Sequence, residues 1–275
     1  MPRIFDWSAR PANRLATVGG LRAAKGQAAA FAQVTANTAA EAAAAEAAGI
    51  EMIVCRARNV SEVRKGSAQV FVTAALGFAE AITTDEILRT AFKALTDGAD
   101  AVITARRLDI VSLLAAENIP VMGHLGFVPR KSTWIGQIRS VGKTAQEALD
   151  LFHSFRRLEE AGAFAVEAEL VPARLMAEIT ARSGLVTISL GSGPSAEVMF
   201  LFSEDICGET DKVPRHARRY GDLARLHRQM DEERRAALSA FRSDIRQGDF
   251  PAPGETAGLD DQELQTFLSH IDGQS

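Results

Sequence analysis

Cysteine is scarce: Cys55 and Cys207 are the only two in 275 residues, and they stand in unrelated contexts. They form neither a disulfide framework nor a metal-finger spacing, so a reducing cytoplasm is the expected setting. The opening stretch MPRIFDWSARPANRLATVGG lacks the apolar core of a signal peptide. No run approaches the ~20 apolar residues of a membrane span. Surplus positive charge is missing too. The net charge is −4, which gives no general attraction to nucleic acid or to an anionic membrane. What remains is 47% hydrophobic and 24% charged, ordinary globular composition with enough apolar material for one barrel-sized core.

After residue 28 a rhythm sets in. Short apolar runs at 29–36, 51–57, 69–77, 100–105, 119–126, 164–170, 185–191 and 197–202 read as buried strands. Helical stretches separate them at 38–49, 83–98, 107–117, 144–161 and 172–183. The alanine tract TAAEAAAAEAAG is a helix stopped by Gly49 rather than low complexity. Eight strands alternating with helices predict an α/β fold, a (β/α)₈ TIM barrel with extra C-terminal helices. The runner-up is a doubly wound open sheet. It usually carries a glycine-rich turn after its first strand, and that position reads TANTAAEA here. GSG at 191–193 is, on its own, more often a tight turn than a phosphate loop.

The expected organisation is an N-terminal segment over 1–28, the barrel over 29–211, helices packed on the barrel over 212–248, and a linker with an acidic tail over 249–275. Leu223, Leu226, Met230, Leu238 and Phe241 suggest a narrow buried stripe along one or two of those helices. The basic run Arg215, His216, Arg218 and Arg219 reads as a solvated face, because acidic residues follow closely and no aromatic platform accompanies it. The tail is expected to be peripheral, or to dock on a neighbouring subunit.

Active sites of such barrels collect at the C-terminal ends of the strands. The polar residues expected there are Thr35 and Asn37, Arg56 and Arg58, Arg106 and Arg107, His124, Glu169, and Ser189 with the GSG turn. His124 within GHLG could simply cap a strand. Glu169 is harder to dismiss, since an acid ending an apolar strand is costly unless paired or used.

IPVMGHLGFVPRK (119–131), EEAGAFAVEAELVPARLMAEIT (159–180) and ISLGSG (188–193) resemble signature segments of ketopantoate hydroxymethyltransferases. Those segments read GHLGLTPQ, EEAGAF…LECVP…LA..IT and IGIGAG in the family. LRAAKG, VTANT, RRYGDL and GDFPAP extend the resemblance over about residues 20–253. It implies a barrel of the phosphoenolpyruvate mutase type that binds Mg²⁺ and 2-oxoisovalerate. It also implies a glutamate base, and an enolate that takes a hydroxymethyl group from methylenetetrahydrofolate. Glu169 falls on that base and His124 on the histidine that faces the substrate.

Departures from the family pattern fall on the metal. The family's VGDS, ADLPF and VKIEGG read VCRA (54–57), AALGF (74–78) and VITARR (102–107) here. Arg56, Ala75 and Ala105 therefore stand where the resemblance implies acidic residues at the metal, Ala57 replaces a substrate-holding Ser, and Ile103 replaces a substrate lysine. The family's Tyr-Asp has become Asn37-Thr38. Mg²⁺ needs hard oxygen ligands, so it is expected to be absent. Arginine forks at Arg56, Arg106 and Arg107 suit a carboxylate. Three readings follow. The first is metal-independent enolate chemistry on an α-keto acid, forming or breaking a carbon–carbon bond, with Glu169 as base, His124 beside it, and Arg56, Arg106, Arg107, Asn37 and Ser189 binding the substrate. The second is the family reaction unchanged, which alone would require methylenetetrahydrofolate. The third is a silent relative that binds an anion or a partner. The expected partners are a small anionic substrate and further copies of the chain, with no nucleic acid and no membrane.

Overall fold

The computed structural model describes residues 3–273. The chain opens with an antiparallel ribbon, β1 (Arg3–Phe5) and β2 (Pro11–Asn13), whose turn is held by Asp6 accepting from the backbone N–H of Ser8 and Arg10. A short helix α1 (Val18–Ala23) follows, capped by the Thr17 hydroxyl. The expected N-terminal segment is thus an ordered pair of elements.

The barrel then runs β3 (Phe31–Thr35), α2 (Ala39–Ala47), β4 (Met52–Arg56), α3 (Val60–Gly66), β5 (Phe71–Ala75), α4 (Thr84–Thr96), β6 (Ala101–Thr104), α5 (Leu108–Ala116) and β7 (Val121–Gly126). It continues through α6 (Ser132–Ile135), α7 (Ala145–Glu160), β8 (Ala165–Glu169), α8 (Ala173–Thr180), β9 (Val186–Leu190), β10 (Val198–Leu201) and α9 (Ser203–Cys207). Strands β3 to β10 are all parallel and close on themselves, β10 pairing with both β9 and β3. This is the (β/α)₈ barrel that the sequence predicts. Helix α3 lies in a stretch the sequence reading had left without a helix.

Each strand is buried on both faces, which is why the sequence shows continuous apolar runs rather than alternation. The two faces still sort by period two. On β4, Met52 and Val54 point into the lumen with Phe71, Met122 and Ile188, whereas Ile53 and Cys55 face the helical layer. The helices bring an apolar stripe to that layer. On α4, Ile87, Ala91, Ala94 and Leu95 are buried at i, i+4, i+7 and i+8. Thr38 with Glu41 and Thr83 with Glu86 form complete capping boxes, which satisfy the orphan N–H groups of α2 and α4.

Residues up to Gly221 form one compact unit, and those from Asp222 form another. Within the second, α10 is a single helix over Leu223–Gln247, followed by α11 (Asp261–Asp272). Of the stripe expected to be buried, Leu223 is half-buried, whereas Leu226, Met230, Leu238 and Phe241 are exposed. Intrahelical ion pairs such as Arg234–Asp231 lie on the charged faces of α10. Among the described residues, no helix is long and apolar enough to cross a membrane.

Candidate active site at the barrel mouth

A cavity of about 340 Å³ opens at the C-terminal ends of the strands. Its polar lining comes from Thr35 at the end of β3 and Asn37 after it, Arg56 on β4, Thr104 on β6, His124 on β7, Glu167 on β8 and Glu204 on α9. Val54, Leu76, Ile103, Phe200 and Phe202 supply the apolar wall. The volume suits a small molecule.

The β7–β8 side carries the densest chemistry. His124 Nε2 lies 3.0 Å from Glu169 Oε2 and 3.9 Å from Glu167 Oε1. Two backbone features create this contact. Gly126 has φ +84, and a Cβ there would stand 2.2 Å from the Glu169 carbonyl oxygen; only glycine lets the two strand ends come so close. Leu170, directly after Glu169, has φ +52, a conformation uncommon for a branched side chain. The GSG turn holds that bend in place. Ser192 Oγ donates to the Ala168 carbonyl at 2.7 Å and accepts from the Val171 N–H at 2.9 Å.

Burial disfavours a charged imidazole, but the Glu169 hydrogen bond, the Glu167 and Glu169 charges and a backbone hydrogen bond with Phe127 outweigh it, so the His124 pKa is raised. The imidazolium form is favoured, with both ring nitrogens facing acceptors. Glu167 is buried and makes no hydrogen bond among the described residues. Burial pushes its pKa up to about 7, with the His124 charge lowering it and the Glu169 charge raising it. It is the side chain that sequence reasoning missed. The signal was present in VEAEL, because residues at i and i+2 of a strand share a face and Glu169 was already placed in the mouth. Glu204, which accepts a 3.1 Å hydrogen bond from Thr35 Oγ1, was missed as well, and nothing in its helical context marked it.

The other expected site residues divide. Asn37 and Arg56 line the cavity. Asn37 Oδ1 accepts from the Arg56 backbone N–H at 3.1 Å and from Asn59 Nδ2 at 3.0 Å, which leaves its own amide N–H₂ free. The Arg56 guanidinium has no ion-pair partner among the described residues. Glu169 ends β8 two residues beyond Glu167 and, unlike Glu167 and His124, is not among the residues that line the cavity, which it meets only through His124. Arg106 and Arg107 do not line the cavity. Arg106 turns away to donate to the carbonyls of Gly77, Phe78 and Ala81, and Arg107 pairs with Asp109 at 2.9 Å. Ser189 is taken up by the GSG turn, donating to the Gly193 carbonyl at 2.7 Å and accepting from the Ser192 N–H at 3.1 Å. Arg58 pairs with Glu80.

A sequence model of ketopantoate hydroxymethyltransferase matches residues 56–253. The chain belongs to this family. The 3-methyl-2-oxobutanoate hydroxymethyltransferase of Pyrobaculum islandicum is 34% identical over 199 residues, 71% of this chain and 74% of that one. That of Chloroflexus aurantiacus is 35% identical over 215 residues, 76% and 74% of the two chains. A crystal structure from Burkholderia cenocepacia superposes with a TM-score of 0.51 over 91% of this chain and 95% of that one, at 13% identity, a likeness of fold alone.

Membership of the ketopantoate hydroxymethyltransferase family raises the question of its magnesium. Arg56, Ala75 and Ala105, which the resemblance sets at acidic positions of the family, all line the cavity. A guanidinium and two methyl groups offer no oxygen to a hard cation, so these residues do not fit Mg²⁺. On the next strands round the barrel, β7 and β8, His124, Glu167 and Glu169 have donor atoms within 4.8 Å of one another and could hold an ion. That mixed nitrogen and oxygen set suits a transition metal better than magnesium.

Proposed function

We propose that the chain makes or breaks a carbon–carbon bond through the enolate of a small α-keto acid, with Glu169 as base and with no magnesium at the family's position. The observation that carries this reading is the 3.0 Å contact between His124 and Glu169 at the edge of the cavity. It ties a carboxylate to a cation that burial alone would not hold. The substrate carboxylate would meet the unpaired Arg56 fork and the free Asn37 amide. Glu169 would remove the proton from the carbon beside the carbonyl, and the electron pair would move onto the keto oxygen. The His124 imidazolium and the Glu167 carboxyl, which near neutral pH still holds its proton part of the time, would steady that oxygen. Donors fixed in a dry site typically contribute several kcal/mol to such a step. The enolate carbon then either attacks a one-carbon electrophile or takes a proton back. Methylenetetrahydrofolate belongs to the proposal only if the family's transfer is retained.

Proton NMR in D₂O tests it. 2-Oxoisovalerate should exchange the hydrogen next to its carbonyl with wild-type protein in the presence of EDTA, and should not with Glu169→Gln. Exchange that disappears with EDTA overturns the metal-free part. So does stoichiometric zinc, manganese or iron in the purified protein, which would assign the ion to His124, Glu167 and Glu169. Absence of exchange across a panel of α-keto acids overturns the enzyme reading and leaves a silent relative.

A further inference from the structure

On the same face of the barrel, outside the mouth, lies a second hollow of about 300 Å³. It is walled by the first turn of α4, the first turn of α5 and the loop after β7. Arg106, Arg107 and Arg130 line one side, and Ile82, Ile87 and Ile110 the other. Three guanidinium groups around so small a space repel one another unless something answers them. The partners they have do little to answer them. Arg106 donates to backbone carbonyls of the 77–81 loop, and Arg130 donates to the Ala105 carbonyl. Both lie over the Phe78 ring, with guanidinium carbons 5.3 and 3.6 Å from its centroid. These contacts fix the forks in place and cancel no charge. Asp109, 62% exposed, pairs with Arg107, and no ion pair to Arg106 or Arg130 occurs among the described residues. Burial and the Arg106 charge together push the Arg130 pKa down.

Two further observations point the same way. Arg106 Nε is buried with no acceptor, so the guanidinium is under-satisfied where it stands. Helix α5, nine residues long, begins with Arg107 at its N-cap and has no side-chain cap. Ser, Thr, Asp or Asn normally fills that place, accepting from the first-turn N–H groups. An arginine there leaves the Leu108 and Asp109 N–H groups without a side-chain acceptor, while the Ile110 N–H bonds the Arg107 carbonyl, and its charge adds to the positive end of a helix dipole that Asp109 in the first turn answers only in part. The loops outside the mouth thus offer three forks, an open helix start and an apolar wall within one hollow.

We propose that this hollow is a binding subsite for a multiply charged oxyanion, a phosphate or a short run of carboxylates, carried on an apolar body. The arginines and the start of α5 hold the anion, and the isoleucines hold the body to which it is attached. This assigns Arg106 and Arg107 a ligand other than the carboxylate of a keto acid in the mouth. It stands apart from the enolate chemistry, since none of these six residues lines the cavity.

Calorimetry on the full chain with inorganic phosphate, phenyl phosphate and triglutamate tests the proposal. Wild type should bind phenyl phosphate more tightly than inorganic phosphate, because only the former reaches the isoleucines. Arg107→Glu reverses the charge of an exposed side chain that supports no other element, and should weaken every probe by about tenfold or more. Ile82→Ala, at a position 75% exposed, should remove the advantage of phenyl phosphate and leave inorganic phosphate unaffected. Triglutamate binding more tightly than phenyl phosphate, with the same dependence on Arg107, identifies the anion as a carboxylate chain; the reverse order identifies it as a phosphate. No binding of any probe at about 10 mM, well beyond the range of a specific site, overturns the subsite. Binding that Arg107→Glu leaves unchanged also overturns it. The measurement reads anion affinity rather than proton exchange, so its failure leaves the enolate reading standing.

Discussion

The two ends of the barrel treat buried charge in opposite ways. At the bottom, Asp100 takes Arg14 at 2.8 Å and Arg64 at 2.6 Å, and also accepts from the Val72 N–H. Glu197 takes Lys25 at 2.9 Å together with Thr187 and the Gly26 N–H. Each of these ions is matched by counter-charge and hydrogen bonds. At the mouth and just outside it, among the described residues, the Glu167 carboxyl is buried beside a histidine without a hydrogen bond, the Arg56 guanidinium has no ion-pair partner, and Arg106 Nε has no acceptor. The difference teaches where to look for chemistry. Matched ions tie the strands and loops together, whereas unmatched ones persist where a ligand completes them.

Asp100→Ala should give the largest effect. It leaves two buried guanidinium groups unpaired and should cost about 3–5 kcal/mol in urea unfolding. If the loss is below about 1 kcal/mol, the range of exposed pairs, the bottom network does not hold the fold and the contrast fails. Glu169→Gln should slow keto-acid proton exchange by about 10²–10⁴ while leaving the urea midpoint close to that of wild type. A large stability loss in that variant would make the mouth another structural network.

Glu167→Gln sharpens the comparison through pH. The folded-state pKa of Glu167 is raised from 4.5 to about 7, so the neutral carboxyl is the form that suits the fold. Its contribution to stability is complete below the unfolded value and is lost as pH rises through about 7. Wild type should therefore lose stability relative to Glu167→Gln between about pH 5 and pH 8, by as much as about 3 kcal/mol. Parallel melting curves of the two proteins across that range would remove Glu167 from the account. The smallest effect belongs to Arg56→Ala, which should weaken α-keto acid binding by about 1.5–3 kcal/mol in calorimetry and leave the melting temperature unchanged.

Much of this molecule is legible in its sequence. Strands buried on both faces announce themselves as apolar runs, and threonine caps with glycine stops mark several of the helices between them. Helix α3 escaped because VSEVRKG is short and follows a strand after only three intervening residues. His124 and Glu169 stand out in the sequence by their places at strand ends as well as by the resemblance, and the structure sets them 3.0 Å apart. Arg106 and Arg107 were placed in the mouth because they follow a strand, but the direction of a side chain there is set by the next loop. The carbonyls of the 77–81 loop draw Arg106 aside. The hydroxyl of Ser189 is used up closing the turn from Ser189 to Gly193. Glu167 was overlooked because an acid in a barrel strand reads as an interruption of the apolar pattern rather than as part of a site.

Cys55 sits on β4 among the residues that line the cavity, buried and packed with the helical layer. Burial raises its thiol to about 12, with the Arg64 charge pulling slightly the other way. Since only the thiolate reacts with alkylating reagents, this sulfur is silent for as long as the strands stay closed. Iodoacetamide modification at Cys55, followed by peptide mass spectrometry, becomes a clock for the opening of the barrel. Its rate reads the time the molecule spends with the β4 region apart, and a ligand that seats in the mouth should slow that clock.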